Sequence, residues 1–288
     1  MTMRARLLLL SAVFVALAVS SVNCKAWGRL GHATINKIAE DHLTKKAKAE
    51  ITKYLHGESI VTYASYPDDF RDRLNENFHP AWNKSATKYI HSFEVDKDLQ
   101  PFRGCEFEGR PVKNSIYHID GLMNDLMNNA PELEDSVRFI EIAMLCHFVG
   151  DMHCPTHIRY QPKRGIASWP VSFLGGETKY HKVWDSDIVS VYYPWSYSDF
   201  AKMCDVCTDS EIAEIVKGDI YDWAHDSAVV CRDIRKSVKE GDALDAEWAI
   251  DRLDFTRSQI RKAGYRLAHV LNMTFDPRYA KKVQKQNR

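Results

Sequence analysis

The residues with the clearest chemistry stand close together: His147-Phe-Val-Gly-Asp151-Met-His153-Cys154-Pro155-Thr156-His157. On a helix, residues four apart point to the same side, so His147 and Asp151 present an imidazole nitrogen and a carboxylate oxygen in one direction. Both atoms are good zinc donors. Pro155 ends the helix and lets His157 turn back towards the same cleft. A single histidine on an apolar helix is most often a satisfied core residue, but three donors flanking a helix break point to a metal site. The spacing recurs in His181-Lys-Val-Trp-Asp185, and one bundle can hold both sets of ligands on facing helices.

Further donors are isolated. Ser65-Tyr-Pro-Asp68-Asp-Phe-Arg71 offers a carboxylate just after a proline, with a guanidinium three residues on, and Tyr89-Ile-His91-Ser-Phe offers an imidazole between apolar neighbours. Read singly, Asp68 is a turn or cap residue and His91 a core histidine. Trp27-Gly-Arg-Leu-Gly-His32 becomes a donor set only if the chain is cut before Trp27. The freed α-amine, with a pKa near 8, is easily deprotonated by a metal, and its own carbonyl can close a five-membered chelate.

A mainly α framework is expected to position these groups. Helical periodicity runs over 27–43, 136–154 and about 180–191, then over two long stretches, 209–239 and 243–273. Gly, Pro and charged residues mark loops at 67–82, 93–112 and 161–177. The basic tail, 277–288, has little to bury and is expected to fray. Neither internal repeats nor low-complexity tracts occur, and few segments alternate as strands do.

The first 26 residues read as an address. Arg4 and Arg6 precede an apolar run of about 13 residues, short of the roughly 20 needed to span a bilayer. Cys24 and Ala26 then fit the small-x-small pattern of signal-peptidase sites, so cleavage is expected between Ala26 and Trp27, with a secreted or periplasmic product and no membrane anchor. The remaining domain, 27–275, is long enough for one sizeable core. With 39 basic and 39 acidic residues the formal net charge is +0. A nucleic-acid substrate would therefore be held locally, by metal and a few side chains, and not by a broad basic face. Of seven cysteines, Cys24 lies in the leader; the other six make disulfides plausible in an exported protein.

Taken in order, these segments resemble the zinc-dependent nucleases of the S1/P1 type, with bacterial zinc phospholipases C as more distant relatives. The matches are Trp-Gly-x-x-Gly-His at 27–32, Ser-Tyr-Pro-Asp-x-x-Arg at 65–71, His91, His-Phe-x-Gly-Asp-x-His-x-Pro-x-His at 147–157, His-x-x-Trp-Asp at 181–185 and Trp-Ala-x-Asp-Ser-x-x-x-Cys at 223–231. The resemblance implies a single helical domain with long loops and three zinc ions. Asp68, His91, His147 and Asp151 would hold the first, and His157, His181 and Asp185 the second. The Trp27 amine and carbonyl, His32 and a bridging Asp151 would hold the third. Two close zincs can share a water, lower its pKa and present hydroxide in line with phosphorus, while the third stabilises the leaving oxygen. Arg71 would pair with developing phosphoryl charge. The implied substrates are single-stranded DNA and RNA, cut to 5′-nucleotides, and 3′-nucleotides, which lose their phosphate. A Cys105–Cys231 disulfide is implied too, and closing so long a loop would contribute on the order of 4 kcal/mol in the chain-entropy model.

Departures from the pattern fall around the substrate. Arg164-Gly-Ile-Ala-Ser168 stands where the family carries Gly-Gly-Asn, Lys179-Tyr180 replaces Asn-Leu, and Cys154 and Thr156 replace Gln and Leu. None removes an implied ligand. Cys146 and Cys154 are expected to pack as small apolar groups, and Cys204-x-x-Cys207 as a tight disulfide or a reduced pair. His153 projects from a different helical face than His147 and Asp151. Two alternatives stand beside the nuclease: a zinc phospholipase C, disfavoured because Asp185 stands where those enzymes carry Glu and Trp27 lies closer to its histidine, and a non-catalytic zinc-binding protein.

Overall fold

The computed structural model describes residues 27–69, 91–129, 132–160, 166–192 and 196–286. The leader and Arg71 lie outside the described residues, as does Asn83 of Asn-Lys-Ser, one of two Asn-x-Ser/Thr glycosylation sequons in the chain; the other begins at Asn272. The class is mainly α, as the periodicity predicts.

One helix is central. In α5 (Asp135–Asp151) residues 140–151 are all buried, so it is covered on every side, as an all-round apolar helix must be. Four helices before it in the chain pack on it: α1 (Gly28–Asp41), α2 (Lys45–Tyr54), the single turn α3 (Tyr66–Asp69) and α4 (Ser115–Asn124). Thr44 caps α2 by accepting from Ala47 N–H, and Asn114 caps α4 by accepting from Tyr117 N–H. Two bonds lay α1 along α5: Asn36 Nδ2 donates to Cys146 O (3.1 Å) and the Trp27 indole N–H to Gly150 O (3.0 Å).

Segments expected as loops hold short strands. β1 (Phe93–Val95) pairs in parallel with β4 (Ile158–Tyr160), Phe93 opposite Ile158. Between them in sequence, β2 (Glu106–Phe107) and β3 (Arg110–Pro111) form a small antiparallel pair. β5 (Pro170–Phe173) and β6 (Gly176–Lys179) make a hairpin that turns at Leu174-Gly175, both at positive φ, and β7 (Ala243–Leu244) adds in parallel to β5. The hairpin feeds α6 (Tyr180–Lys182), a π-helical turn (Val183–Asp187) and α7 (Ile188–Tyr192).

The C-terminal third is more broken than its periodicity suggests. After α8 (Tyr197–Cys204), the stretch expected as one helix is α9 (Asp209–Ile215) and α10 (Ile220–Lys236). Asp219 restarts it, capping Tyr221 and Asp222 N–H while Asp222 reaches back in a capping box. The second stretch opens with β7 and α11 (Ala246–Ile250) before α12 (Leu253–Phe275) packs on α1 and α5. The tail is a helix, α13 (Pro277–Gln286), where fraying was expected. Asp276 caps it by accepting from Arg278 and Tyr279 N–H, and the Tyr279 hydroxyl bonds His269 Nδ1 at 2.9 Å.

Two covalent expectations meet the packing. The implied Cys105–Cys231 disulfide is absent: Cys105 is exposed with Sγ 3.8 Å from His118 Nε2, whereas Cys231 is fully buried on α10 and faces Gln259 of α12 at 3.7 Å. The two thiols point into different surroundings. Cys204 and Cys207 are likewise free thiols. Asn272, the other glycosylation sequon, is buried, its amide joining Thr44 N–H (2.8 Å) and His42 O (3.0 Å) across the α1–α2 turn. Among the described residues no helix is long and apolar enough to cross a membrane.

Candidate metal centre

Asp151, at the C-terminal end of α5, is fully buried among four imidazoles from three other segments and its own helix. Its Oδ2 lies 2.9 Å from His91 Nδ1, 3.5 Å from His147 Nε2 and 3.7 Å from His157 Nδ1, and its Oδ1 lies 3.3 Å from His32 Nε2. The helical i,i+4 spacing supplies His147. The short turn at Pro155–His157 supplies His157, and the parallel β1–β4 pairing sets His91 beside it. Asp68, on α3, comes within 3.8 Å of His147 Nε2 and 4.0 Å of His91 Nδ1. From α1, the His32 ring stacks on His147 with centroids 3.9 Å apart.

A second cluster adjoins the first. His157 Nε2 is 3.3 Å from His181 Nε2 and 3.9 Å from Asp185 Oδ1, and His181 Nε2 is 2.5 Å from Asp185 Oδ2. Glycines let these elements meet. A Cβ on Gly150 would come within 3.0 Å of His32 Nδ1. A Cβ on Gly28, which sits at positive φ, would come within 2.8 Å of the Asp185 carbonyl. The start of α1 therefore lies directly against the segment that carries Asp185.

Carbonyls orient two of the rings. His147 Nδ1–H donates to Ala64 O at 2.9 Å, and His157 Nδ1–H donates to the His91 carbonyl. In each case the proton is fixed on Nδ1, which leaves a lone pair on Nε2 aimed into the cluster. His153 turns away as expected: Nδ1–H donates to Val149 O (2.8 Å), while Nε2 accepts from Arg266 Nη1 (3.0 Å). Arg266 in turn pairs with Asp226, and Gln259 donates to the His153 carbonyl. This network ties the loop after α5 to α10 and α12.

The donor set fits cations and little else. Burial raises the Asp151 carboxyl well above the usual range, with Asp68 and Asp185 adding to the shift, and pushes Asp185 up to about 6. Burial also drives His157 well below the usual imidazole value, helped by His181 and His91. Both trends remove charge from a largely buried cluster. Yet Asp68 Oδ2 and Asp151 Oδ1 are buried and accept no hydrogen bond among the described residues. Leaving such oxygens unmatched costs about 1–3 kcal/mol each; a divalent cation beside them would remove that cost and restore their charge. The donor atoms of His32, His147 and Asp151, of Asp68, His91 and His147, and of Cys154, His157 and Asp185 form three groups, each within 4.8 Å.

Eight of the nine residues read as ligands from sequence thus converge. Trp27 is at the edge of the same region, its ring fully buried and its carbonyl accepting from Gly31 N–H at 3.0 Å. Arg71 lies outside the described residues. One neighbour was assigned a different part: Cys154, expected as apolar filler, directs its sulfur at Asp185 Oδ1 (3.6 Å). Its place inside the His147–His157 motif was the available signal.

The chain is similar in sequence to known proteins. Endonuclease 2 of Arabidopsis thaliana is 26% identical over 91% of this chain and 95% of its own length. Nuclease P1 of Penicillium citrinum is 24% identical over 85% of this chain and 97% of its own length. The S1/P1 Nuclease family model matches residues 27–276. That match covers nearly the whole described fold and every clustered donor, and the chain belongs to the S1/P1 nuclease family.

Proposed function

We propose that this protein is an exported, three-zinc phosphoesterase that cuts single-stranded DNA and RNA to 5′-nucleotides and removes phosphate from 3′-nucleotides. The observation that carries this reading is Asp151, a buried carboxylate whose two oxygens face four imidazoles gathered from four segments. Asp68, His91, His147 and Asp151 would hold one zinc, His157, His181 and Asp185 a second, and His32, Asp151 and the Trp27 amine and carbonyl a third. Zinc in these positions supplies Lewis-acid polarisation of a phosphate ester and lowers the pKa of water towards neutrality.

The side chains have separable parts in this scheme. The carbonyls of Ala64 and His91 fix the His147 and His157 tautomers, so both present Nε2 without an ordering step. Asp151, with one oxygen towards His32 and the other towards His91 and His147, would contribute to two of the sites. Arg71 pairs with charge that develops on the phosphoryl oxygens. Removal of the leader frees the Trp27 amine, so the precursor lacks a complete third site.

The test uses purified protein beginning at Trp27, assayed on single-stranded DNA, RNA, 3′-AMP and phosphatidylcholine, with and without chelator. Hydrolysis of the first three, abolished by chelator, is expected. Phosphatidylcholine turnover with inert nucleic acid would replace this reading with a phospholipase C. Full zinc occupancy without turnover of any substrate would make the protein a non-catalytic zinc binder.

A further inference from the structure

Cys154 is fully buried three residues after Asp151, and its backbone is held at both ends. Its N–H donates to Asp151 O at 2.9 Å, and its carbonyl accepts from His157 N–H at 3.0 Å. With the backbone fixed and Pro155 next in sequence, the thiol has few places to go. It donates to Asp185 Oδ1 at 3.6 Å, with Thr156 Oγ1 3.4 Å from the sulfur on its other side. The opposite carboxylate oxygen, Asp185 Oδ2, faces His181 Nε2 at 2.5 Å. The carboxylate of Asp185 is thus gripped at one oxygen by the Cys154 thiol and turned with the other towards His181.

We infer that Cys154 is a positioning residue of the second cation site: its S–H holds Asp185 Oδ1, on the side of His157, so that Oδ2 is presented to His181. The inference rests on the reading of His157, His181 and Asp185 as that site. A carboxylate's terminal torsion is broad and has no strong preference of its own. The thiol adds a partner on the Oδ1 side to the one that His181 gives Oδ2, and its loss would leave each cation-binding event to order that side of the carboxylate. Partners of this kind, which orient a ligand without touching the metal, typically change metal affinity by about 10–100-fold. Thr156 completes the chain, so the two positions where this sequence leaves the family's Gln and Leu act together.

The experiment compares the protein beginning at Trp27 with its Cys154→Ala and Cys154→Ser variants, each stripped and loaded with Co(II). Chelator competition measures the affinity of each bound ion, and absorption spectra report whether sulfur coordinates cobalt. The expected result has three parts. Wild type takes up cobalt with no sulfur-to-cobalt charge-transfer band. Cys154→Ala weakens one ion by about 10–100-fold and spares the others. Cys154→Ser, whose hydroxyl can still donate, restores most of the affinity. A charge-transfer band in wild type would show the sulfur to be a direct ligand and overturn the inference. So would a Cys154→Ala protein that holds every ion as tightly as wild type, or a serine variant as weak as the alanine one. Wild type that binds no cobalt would instead remove the metal centre itself, and the inference with it.

Discussion

Glu141 is the sharpest place to test the packing of α5. It lies on the helix that carries His147 and Asp151, is only 2% exposed, and its Oε2 has no hydrogen-bond partner among the described residues. Burial, with a smaller contribution from Asp125, pushes its carboxyl from 4.5 up to about 7. The folded state therefore binds more protons than the unfolded chain between those two values, so this group's contribution to stability falls as pH rises through that window. Above pH 7 the ionised form costs the folded state about 3 kcal/mol. Glu141→Gln cannot ionise and escapes that cost. Its amide leaves donors unmatched in the same pocket, an opposing effect of about 1–3 kcal/mol that does not depend on pH. The decisive quantity is therefore the change in the variant's stability relative to wild type between pH 5 and pH 8, expected to be about 2–3 kcal/mol in favour of glutamine at the higher pH. Urea unfolding of the metal-stripped proteins at both pH values measures it. Equal differences at the two pH values would refute the burial argument.

Further predictions concern the centre. Asp151→Asn should release about two ions per chain and Asp185→Asn about one, because only Asp151 is proposed to touch two metals; equal losses by elemental analysis would count against bridging. Gly150→Ala would place a Cβ 3.0 Å from His32 Nδ1. It should weaken the third ion about tenfold while leaving the second unchanged in a chelator titration. One extra residue before Trp27 should remove the third ion and most nuclease activity, and full activity in that protein would mean that the terminal amine is not a ligand. His153 is held at about 3, chiefly by burial and then by the Arg266 charge. Its contribution to stability is complete above the ordinary imidazole value near 6.5 and fades as pH falls towards 3. His153→Leu should accordingly flatten part of the acid limb of the stability curve.

Local spacing made much of this legible. His147 with Asp151 and His181 with Asp185 need only a helix to face one way, and both segments are helical. The meeting of His91 with His157 needed the β1–β4 pairing, and two three-residue strands in loop-like sequence gave no periodic signal. The two C-terminal breaks were hidden for the opposite reason: apolar spacing continued across them, while Asp219 capped and restarted α10 and Asp245 capped the short α11 that precedes the second break. The Cys105–Cys231 pairing came only from the resemblance; in the structure both are free thiols, Cys105 exposed and Cys231 in the core. Cys154 was read by residue type as filler, but its neighbour Asp185 lies 31 residues away and only the fold brings it there. The tail looked too polar to order until Asp276 and Tyr279 supplied a cap and an anchor.

The most direct test of the central claim is the rate of single-stranded DNA hydrolysis by purified protein beginning at Trp27, before chelation, after chelation and after zinc is restored. Activity is expected to be lost with the metal and to return when zinc is restored to three ions per chain. Undiminished hydrolysis by protein shown to be free of metal would contradict it.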